Sequence, residues 1–516
     1  MSEFEDEYRT FRNNLRKLVI SESLGVVRAF SQKNNFGARL PSDLKGVPVE
    51  FIVGGRDQVK GRIFDWHLEV LAREMLIHSQ TVGISRKDLR NWNDLAKVVN
   101  QTQRLEETAI KERDGSFDVV FELLKLAHRQ FPWQSRLNHQ FLFRYFRIFN
   151  HPEVKPLFVE KIGIDPKTTY LIGLTLTGHF LEMFGLHNPP EFNFSKDLNI
   201  KKSTFNSFIQ TMSKPIDELR ELLKNDTNRE MGINFFYYDH SLRRYPLILM
   251  EHQGRETFIA PIPTLLFWRF TDGIYYDLVG NNQFEKAFGN SYEEYVGDVT
   301  KKVLKSKDFK ILPKEPESET IGSARKRRPS PDWFIVNEKC AIFVECKAKR
   351  LPVISRLSLS PDERFQEQIG KLADSVKQVY CSINAYITDQ YRSPQFDFQA
   401  AKHIFPLVVT LHSWHLFGPI YSKLEETVKE KLGNLKLEAL YDKYPFTICS
   451  IEEYEDVLFV IKEYGVCKVL EDKADRSKEY YHWELQPYLH DKFGDVLKKN
   501  EFPFEDEFES EFPVMK

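Results

Sequence analysis

The chain has 516 residues, with 73 Lys plus Arg against 75 Asp plus Glu and a formal charge of −2 at pH 7. At roughly 150 residues per domain that is about three domains, or two large ones. Its 41% hydrophobic and 14% aromatic content excludes a disordered or collagen-like chain, and the balanced charge excludes a polybasic binder, so any polyanion site has to be a local basic surface.

Met1 to Asn14 is rich in Glu, Asp and Arg and lacks an apolar run, so it does not read as a secretory signal. From about Arg62 to Asn225 apolar residues recur at helical spacing, as in Leu68, Leu71 and Met75 and again in Leu89, Trp92, Leu95 and Val99, which predicts a helical domain. Ser85 and Asp88 suggest a capping box, and Pro132, Pro152 and Pro166 punctuate later helices. Arg136 to Asn150 interleaves Phe141, Phe143, Tyr145 and Phe146 with Arg144 and Arg147. Base stacking is one reading; a helical core with arginines reaching solvent is the preferred one. The most apolar windows, Tyr170 to Phe184 and Phe405 to Ile420, are interrupted by His179 and Glu182 or by His412 and His415. Neither reaches the about 20 apolar residues a bilayer demands, so no membrane association is expected.

After Gly232 the pattern changes. Leu247 to Met250 and Thr257 to Ile259 flank a polar turn and read as a hairpin, and Ile262 to Phe270 and Ile274 to Val279 continue the apolar, strand-like character. An amphipathic helix is predicted from about Ser291 to Leu304, after Gly289. Pro313 to Pro331 has four prolines, the acids Glu315, Glu317 and Glu319, and the basic run Arg325 to Arg328, the composition of an exposed loop. The basic run reads as solvated surface before it reads as a localisation or phosphate-contacting patch. The five cysteines form no C-x-x-C pair, so neither a disulfide framework nor a cysteine zinc site is indicated, and a reducing cytoplasm fits best. The acidic, Phe-containing segment Glu501 to Lys516 is expected to be frayed or packed as an arm.

The chemistry concentrates in Pro331-Asp332-Trp333-Phe334-Ile335-Val336, a polar turn, and Cys340-Ala341-Ile342-Phe343-Val344-Glu345-Cys346-Lys347. Both runs are apolar on successive residues, as in central strands covered on both faces. Glu345 and Lys347 break the second run, where a buried charge is costly unless it is paired or binds a metal. Strand alternation puts these two on one face. A four-residue loop, Asn337 to Cys340, sets Asp332 opposite Glu345; a two-residue loop, Asn337 and Glu338, sets Asp332 opposite Phe343 on the same shared face. Two close carboxylates repel, and a hard divalent cation, Mg²⁺ or Mn²⁺, relieves that. Lys347 is then placed to hold water or to stabilise charge on a phosphoryl oxygen. Cys346 faces the other side and reads as packing.

Pro331-Asp332, thirteen residues, then Glu345-Cys346-Lys347 resembles the PD-(D/E)XK signature of restriction-endonuclease-like nucleases. That resemblance implies a glutamate on the preceding helix, for which Glu293 is favoured over Glu294, and a following helix and strand, matched by Arg364 to Asn384 and Ile404 to Leu411. It also implies a glutamine on that helix near the site, Gln378 or Gln368. Lys349, Arg350, Lys371 and Lys377 are the expected phosphate contacts, with Gln378 beside them.

The expected fold is α+β to α/β: a mainly helical domain over 1–230, a β-rich connector over 231–282, a mixed-sheet restriction-endonuclease-like core over 283–480 and an acidic tail over 481–516. Asp332, Glu345 and Glu293 are the expected metal ligands, with Lys347 completing the catalytic set. The expected function is a cytoplasmic, Mg²⁺-dependent DNA endonuclease in a bacterial restriction or anti-phage setting, although the residue types do not separate DNA from RNA. A companion subunit or self-association is a further expectation. The alternative is a non-catalytic scaffold that holds nucleic acid or partners. No G-x-x-x-x-G-K-[ST] loop occurs, and His412-Ser413-Trp414-His415 lacks the partners of a zinc protease or serine hydrolase.

Overall fold

The computed structural model describes residues 2–53, 62–81, 87–111, 119–134, 138–188, 200–229, 232–305, 308–314, 318–321, 324–327, 329–348, 363–388, 395–499 and 501–513. Ser85, Arg328, Lys349 and Arg350 lie outside the described residues. The protein is mostly helical with two mixed sheets. Met1–Asp118, Lys125–Asn138 and Lys155–Val279 form one compact unit; Val119–Leu124, His139–Val154 and Gly280–Lys516 form the other.

These units are drawn differently from a linear division of the chain. Segment 231–279 belongs to the first unit because its strands pair with earlier ones. β1 (Gly185–His187), β2 (Ser213–Pro215), β3 (Leu247–His252) and β4 (Arg255–Ile259) form a sheet in the order β1-β4-β3-β2, with only β2 and β3 parallel. The β3–β4 hairpin turns on Gln253 and Gly254, both at positive φ (51° and 75°), the two-residue geometry that matches strand twist. Beyond it, the segments read from sequence as strands are helices, Pro263–Phe270 and Tyr275–Leu278. Pro263 takes the first helical position, where its missing N–H costs nothing, and Leu265, Leu266 and Phe270 are buried. Short apolar runs carry no period that separates strand from buried helix.

In the first unit the Asp65–His78 helix is buried over nearly its whole length, charges included. Arg73 Nε donates to Glu74 Oε1 at 2.9 Å, Tyr8 donates to Glu74 Oε2 at 2.9 Å, and the Arg73 guanidinium lies 4.4 and 4.6 Å from the Phe235 and Tyr238 ring centres.

The second unit is built on five strands in the order β11-β10-β9-β8-β5. These are β5 (Lys310–Pro313), β8 (Trp333–Val336), β9 (Cys340–Lys347), β10 (His403–Thr410) and β11 (Thr447–Ser450). β9, β10 and β11 run parallel, whereas β8 is antiparallel to both β9 and β5. Phe334 and Phe343 join the core under the Glu363–Ile387 helix with Ile369, Val376, Tyr380 and Ile383. On the other face Trp333 meets the Asn282–Val303 helix at Gly297, where an added Cβ would lie 2.0 Å from the indole. That helix starts nine residues earlier than its sequence pattern predicted, capped by Asn281, whose side chain accepts from Gln283 and Phe284 N–H.

The β8–β9 connection is the four-residue one. Val336 pairs with Ala341, the Asn337 N–H donates to Cys340 O at 3.0 Å, and Asn337 Oδ1 accepts from the Lys339 and Cys340 N–H groups at 3.0 and 2.8 Å. Part of the segment expected as a loop is instead a hairpin, β6 (Ser318–Ile321) and β7 (Ala324–Arg327), whose register sets Glu319 opposite Lys326.

The C-terminal segment is packed. Phe504, Phe508 and Phe512 are buried, and their rings meet Phe143 and Phe146 of the His139–Asn150 helix at 4.9 to 6.0 Å. In the same helix Arg144 does not reach solvent: it is 2% exposed and grips Glu455 through Nε–Oε1 at 3.0 Å and Nη2–Oε2 at 2.6 Å. Its donors are spent within the fold, which removes it as a base-stacking or phosphate group. Among the described residues no helix is long and apolar enough to cross a membrane.

Candidate functional site

Extended by one residue, the β8–β9 register sets Asp332 opposite Glu345, with both side chains on the face covered by the Glu363–Ile387 helix. Asp332 Oδ2 accepts from the Cys346 N–H at 2.7 Å, which anchors the acid across the hairpin. Glu345 is 1% exposed; its Oε1 accepts from Lys347 Nζ at 2.5 Å, while its buried Oε2 has no hydrogen-bond partner among the described residues. Lys347 Nζ also lies 3.5 Å from Gln378 Oε1 on the covering helix.

The helix carboxylate arrives from the other face. The Trp333 indole N–H donates to the Glu293 carbonyl at 2.8 Å, fixing that turn of the Asn282–Val303 helix against β8. Glu293 Oε2 accepts from Lys314 Nζ at 2.8 Å, and Lys314 N–H donates to Asp332 O at 2.9 Å. Glu294 points elsewhere, with its Oε2 3.0 Å from His151 Nε2.

Electrostatically the cluster holds more acid than its two lysines neutralise. Burial, then the Glu293 charge, pushes Asp332 up to about 6, against the opposing pull of the Cys346 N–H, Lys347 and Lys314. Burial and the adjacent Asp332 push Glu345 up to about 8, although Lys347 opposes this. For Lys347, burial favours the neutral amine, but the Glu345 carboxylate outweighs it and the net shift is upward. Two acids raised together and a buried carboxylate oxygen with no hydrogen-bond partner among the described residues form a compact cluster of anionic donors. The donor set, all carboxylate oxygen, fits a hard divalent ion.

The remaining expected contacts scatter. Lys371 pairs with Glu367, and Lys377 pairs with Asp374 at 3.0 Å, which also takes Lys431 at 2.9 Å; none of these belongs to the acid cluster. Gln368 is buried in its helix. Lys314 was not singled out from the sequence, because only the pairing of β5 with β8 brings it to Asp332. Cys346 is buried and directed away from the acids, as strand alternation requires. Ser413 Oγ and Glu484 Oε2 both approach His415 Nδ1, at 3.1 and 3.6 Å, so one ring nitrogen is shared and no serine–histidine–acid relay forms.

No family model matches this chain, and no curated protein matches it. Among solved structures it is similar to the small subunit (R.BspD6I2) of the heterodimeric restriction endonuclease R.BspD6I, at 10% identity, over 44% of this chain and 90% of that one, with a TM-score of 0.19. The fold described above therefore rests on this chain's own strand order and register.

Proposed function

We propose that the second unit is a metal-dependent nuclease that hydrolyses phosphodiester bonds, with Mg²⁺ as the working ion, Mn²⁺ as a substitute and DNA as the substrate. The observation that carries the reading is Glu345: a buried carboxylate with an unpartnered oxygen, facing a second raised acid, beside a lysine. Asp332 and Glu345 would hold the ion, with Glu293 assisting once Lys314 releases it. The ion would supply Lewis acidity at the phosphate and activate water.

The chain's own groups do the rest. Lys347, now held on Glu345 Oε1, would orient water and stabilise charge on a phosphoryl oxygen through its ammonium once that carboxylate is engaged by the ion. Gln378 keeps that ammonium in place from the helix above. The Asp332–Cys346 bond holds the first acid at a fixed distance from the second, so little reorganisation precedes the chemistry. The PD-(D/E)XK resemblance of the same residues supports an endonuclease, and a restriction or anti-phage role with a companion subunit is the setting proposed for it.

Purified protein incubated with Mg²⁺ and plasmid DNA, linear DNA or RNA tests this. Cleavage by the wild type should fall about 10²–10³-fold in Asp332→Ala and in Lys347→Ala. No cleavage with any divalent ion and any of these polymers, or cleavage that survives both substitutions, would leave a binding or scaffold protein as the better account.

A further inference from the structure

We propose that Cys340, Cys467, His403 and Glu471 form a zinc-binding site at the end of the second unit's sheet away from the acid cluster. The inference stands whether or not that cluster cleaves nucleic acid.

The four residues come from three elements. Cys340 opens β9 and His403 opens β10, and the two are direct partners in the parallel ladder. The Lys402 and His403 N–H groups both donate to Lys339 O, at 2.9 and 3.1 Å, which fixes the two strand starts together. Cys467 and Glu471 lie four residues apart on the Val466–Ala474 helix, hence on one face. Ligand atoms of His403, Cys467 and Glu471 lie within 4.8 Å of one another, and Cys340, the ladder partner of His403, adjoins them as the fourth donor. His403 Nδ1 is ion-paired with Glu471 Oε1.

The donor set decides the ion. Two sulfurs, one imidazole nitrogen and one carboxylate oxygen make a four-ligand zinc set, and soft thiolates disfavour Mg²⁺ and Ca²⁺. Zinc bonds of about 2.0–2.3 Å place tetrahedral ligand atoms roughly 3.3–3.8 Å apart. His403, Cys467 and Glu471, already within 4.8 Å of one another, would close by about 1 Å onto an ion, with Cys340 turned in beside them. Cys340 is buried, Cys467 and His403 are half-buried and Glu471 is exposed, so an ion can reach the site from the helix side. Five residue-to-residue steps along β9, ~16 Å of strand, separate Cys340 from Glu345. The ion would tie β9, β10 and the Val466–Ala474 helix together at one end while the acids work at the other. In sequence the first three ligands stand more than sixty residues apart, 340, 403 and 467, so no ligand-spacing motif announces them.

The full chain, metal-stripped and kept in a phosphine reductant, is titrated with Co²⁺ and then Zn²⁺. The expected result is one equivalent of Co²⁺, beside any held by the acid cluster, that gives a thiolate-to-cobalt charge-transfer band and the d–d bands of a tetrahedral ion, both erased by Zn²⁺, and a higher thermal midpoint with Zn²⁺. Cys467→Ser should weaken Co²⁺ binding and lose at least half of the charge-transfer band, and Glu471→Gln should weaken binding at least tenfold, while Asp332→Asn leaves the thiolate-to-cobalt band unchanged. Should Cys467→Ser lose its circular dichroism signature, the wild-type spectrum and Glu471→Gln still decide. The proposal is overturned if the reduced wild type shows no tetrahedral thiolate spectrum, if that spectrum is undiminished in folded Cys467→Ser, or if the thiolate-to-cobalt band is lost with Asp332→Asn instead.

Discussion

Glu74 of the first unit and Glu345 of the second are equally hidden from water, at 0% and 1% exposure, yet they titrate in opposite directions. Burial alone would raise both. For Glu74 the Arg73 guanidinium, His78 and the Tyr8 hydroxyl overcome that penalty and hold the carboxyl below its ordinary range. Glu69, on the same helix, is held down in the same way by Arg243 and His240. For Glu345 the neighbours include two more acids, and one lysine is not enough. The contrast separates a carboxylate whose partners are built into the fold from one whose partner, on the proposed function, is an ion taken from solution.

The comparison breaks most sharply at Arg73. Arg73→Met leaves Glu74 buried beside fewer cations and removes the stacking on Phe235 and Tyr238, so it should cost about 3–5 kcal/mol. Calorimetry should show this as a lower transition for the first unit; an unchanged transition would mean that the pair is not structural. Next comes Gly297→Ala. Its methyl group overlaps Trp333 and forces the indole off the Glu293 carbonyl, for an expected loss of about 1–3 kcal/mol together with weaker Mg²⁺ binding by titration calorimetry.

The smallest effect has the opposite sign. In chelator, Glu345→Gln should stabilise the chain by about 1–2 kcal/mol at alkaline pH, because it removes a buried charge with no adequate partner. The sign follows from the raised acids. Folded Asp332 and Glu345 keep protons that the unfolded chain has released, so without metal the contribution of these two acids to stability falls as pH rises from about 4 towards 8. Mg²⁺ should therefore raise the melting temperature more at pH 8 than at pH 6, and Glu345→Gln should flatten that dependence. A melting curve indifferent to both pH and Mg²⁺ would count against the metal reading.

Much of the second unit was legible in the sequence because its signals are local. Two apolar runs without alternation marked the central strands, and Glu345 and Lys347 stood out as charges that such a run does not tolerate. The helix over 363–387 and the strand over 403–410 fell within a few residues of the pattern that predicted them. Where context decides, the reading failed. Ile262 to Phe270 is apolar enough for either element, and Pro263 at a helix start tips it. Gly289 looked like a boundary but lies inside a helix that Asn281 had already capped. Lys314 and the Cys340–His403–Cys467 grouping depend on strands and a helix distant in the chain coming together, and no residue-type pattern encodes them.

The Asn337 turn has a consequence for how this hairpin tolerates change in length. Deleting one residue between Val336 and Ala341 would slip the ladder by a single step and rotate Asp332 to the sheet's opposite surface, while every ligand-type side chain remained present. Such a deletion variant should keep its strands and lose its ion. Alignments of this segment are therefore better judged by loop length than by residue identity, since a gap placed there severs the two acids as surely as mutating either one.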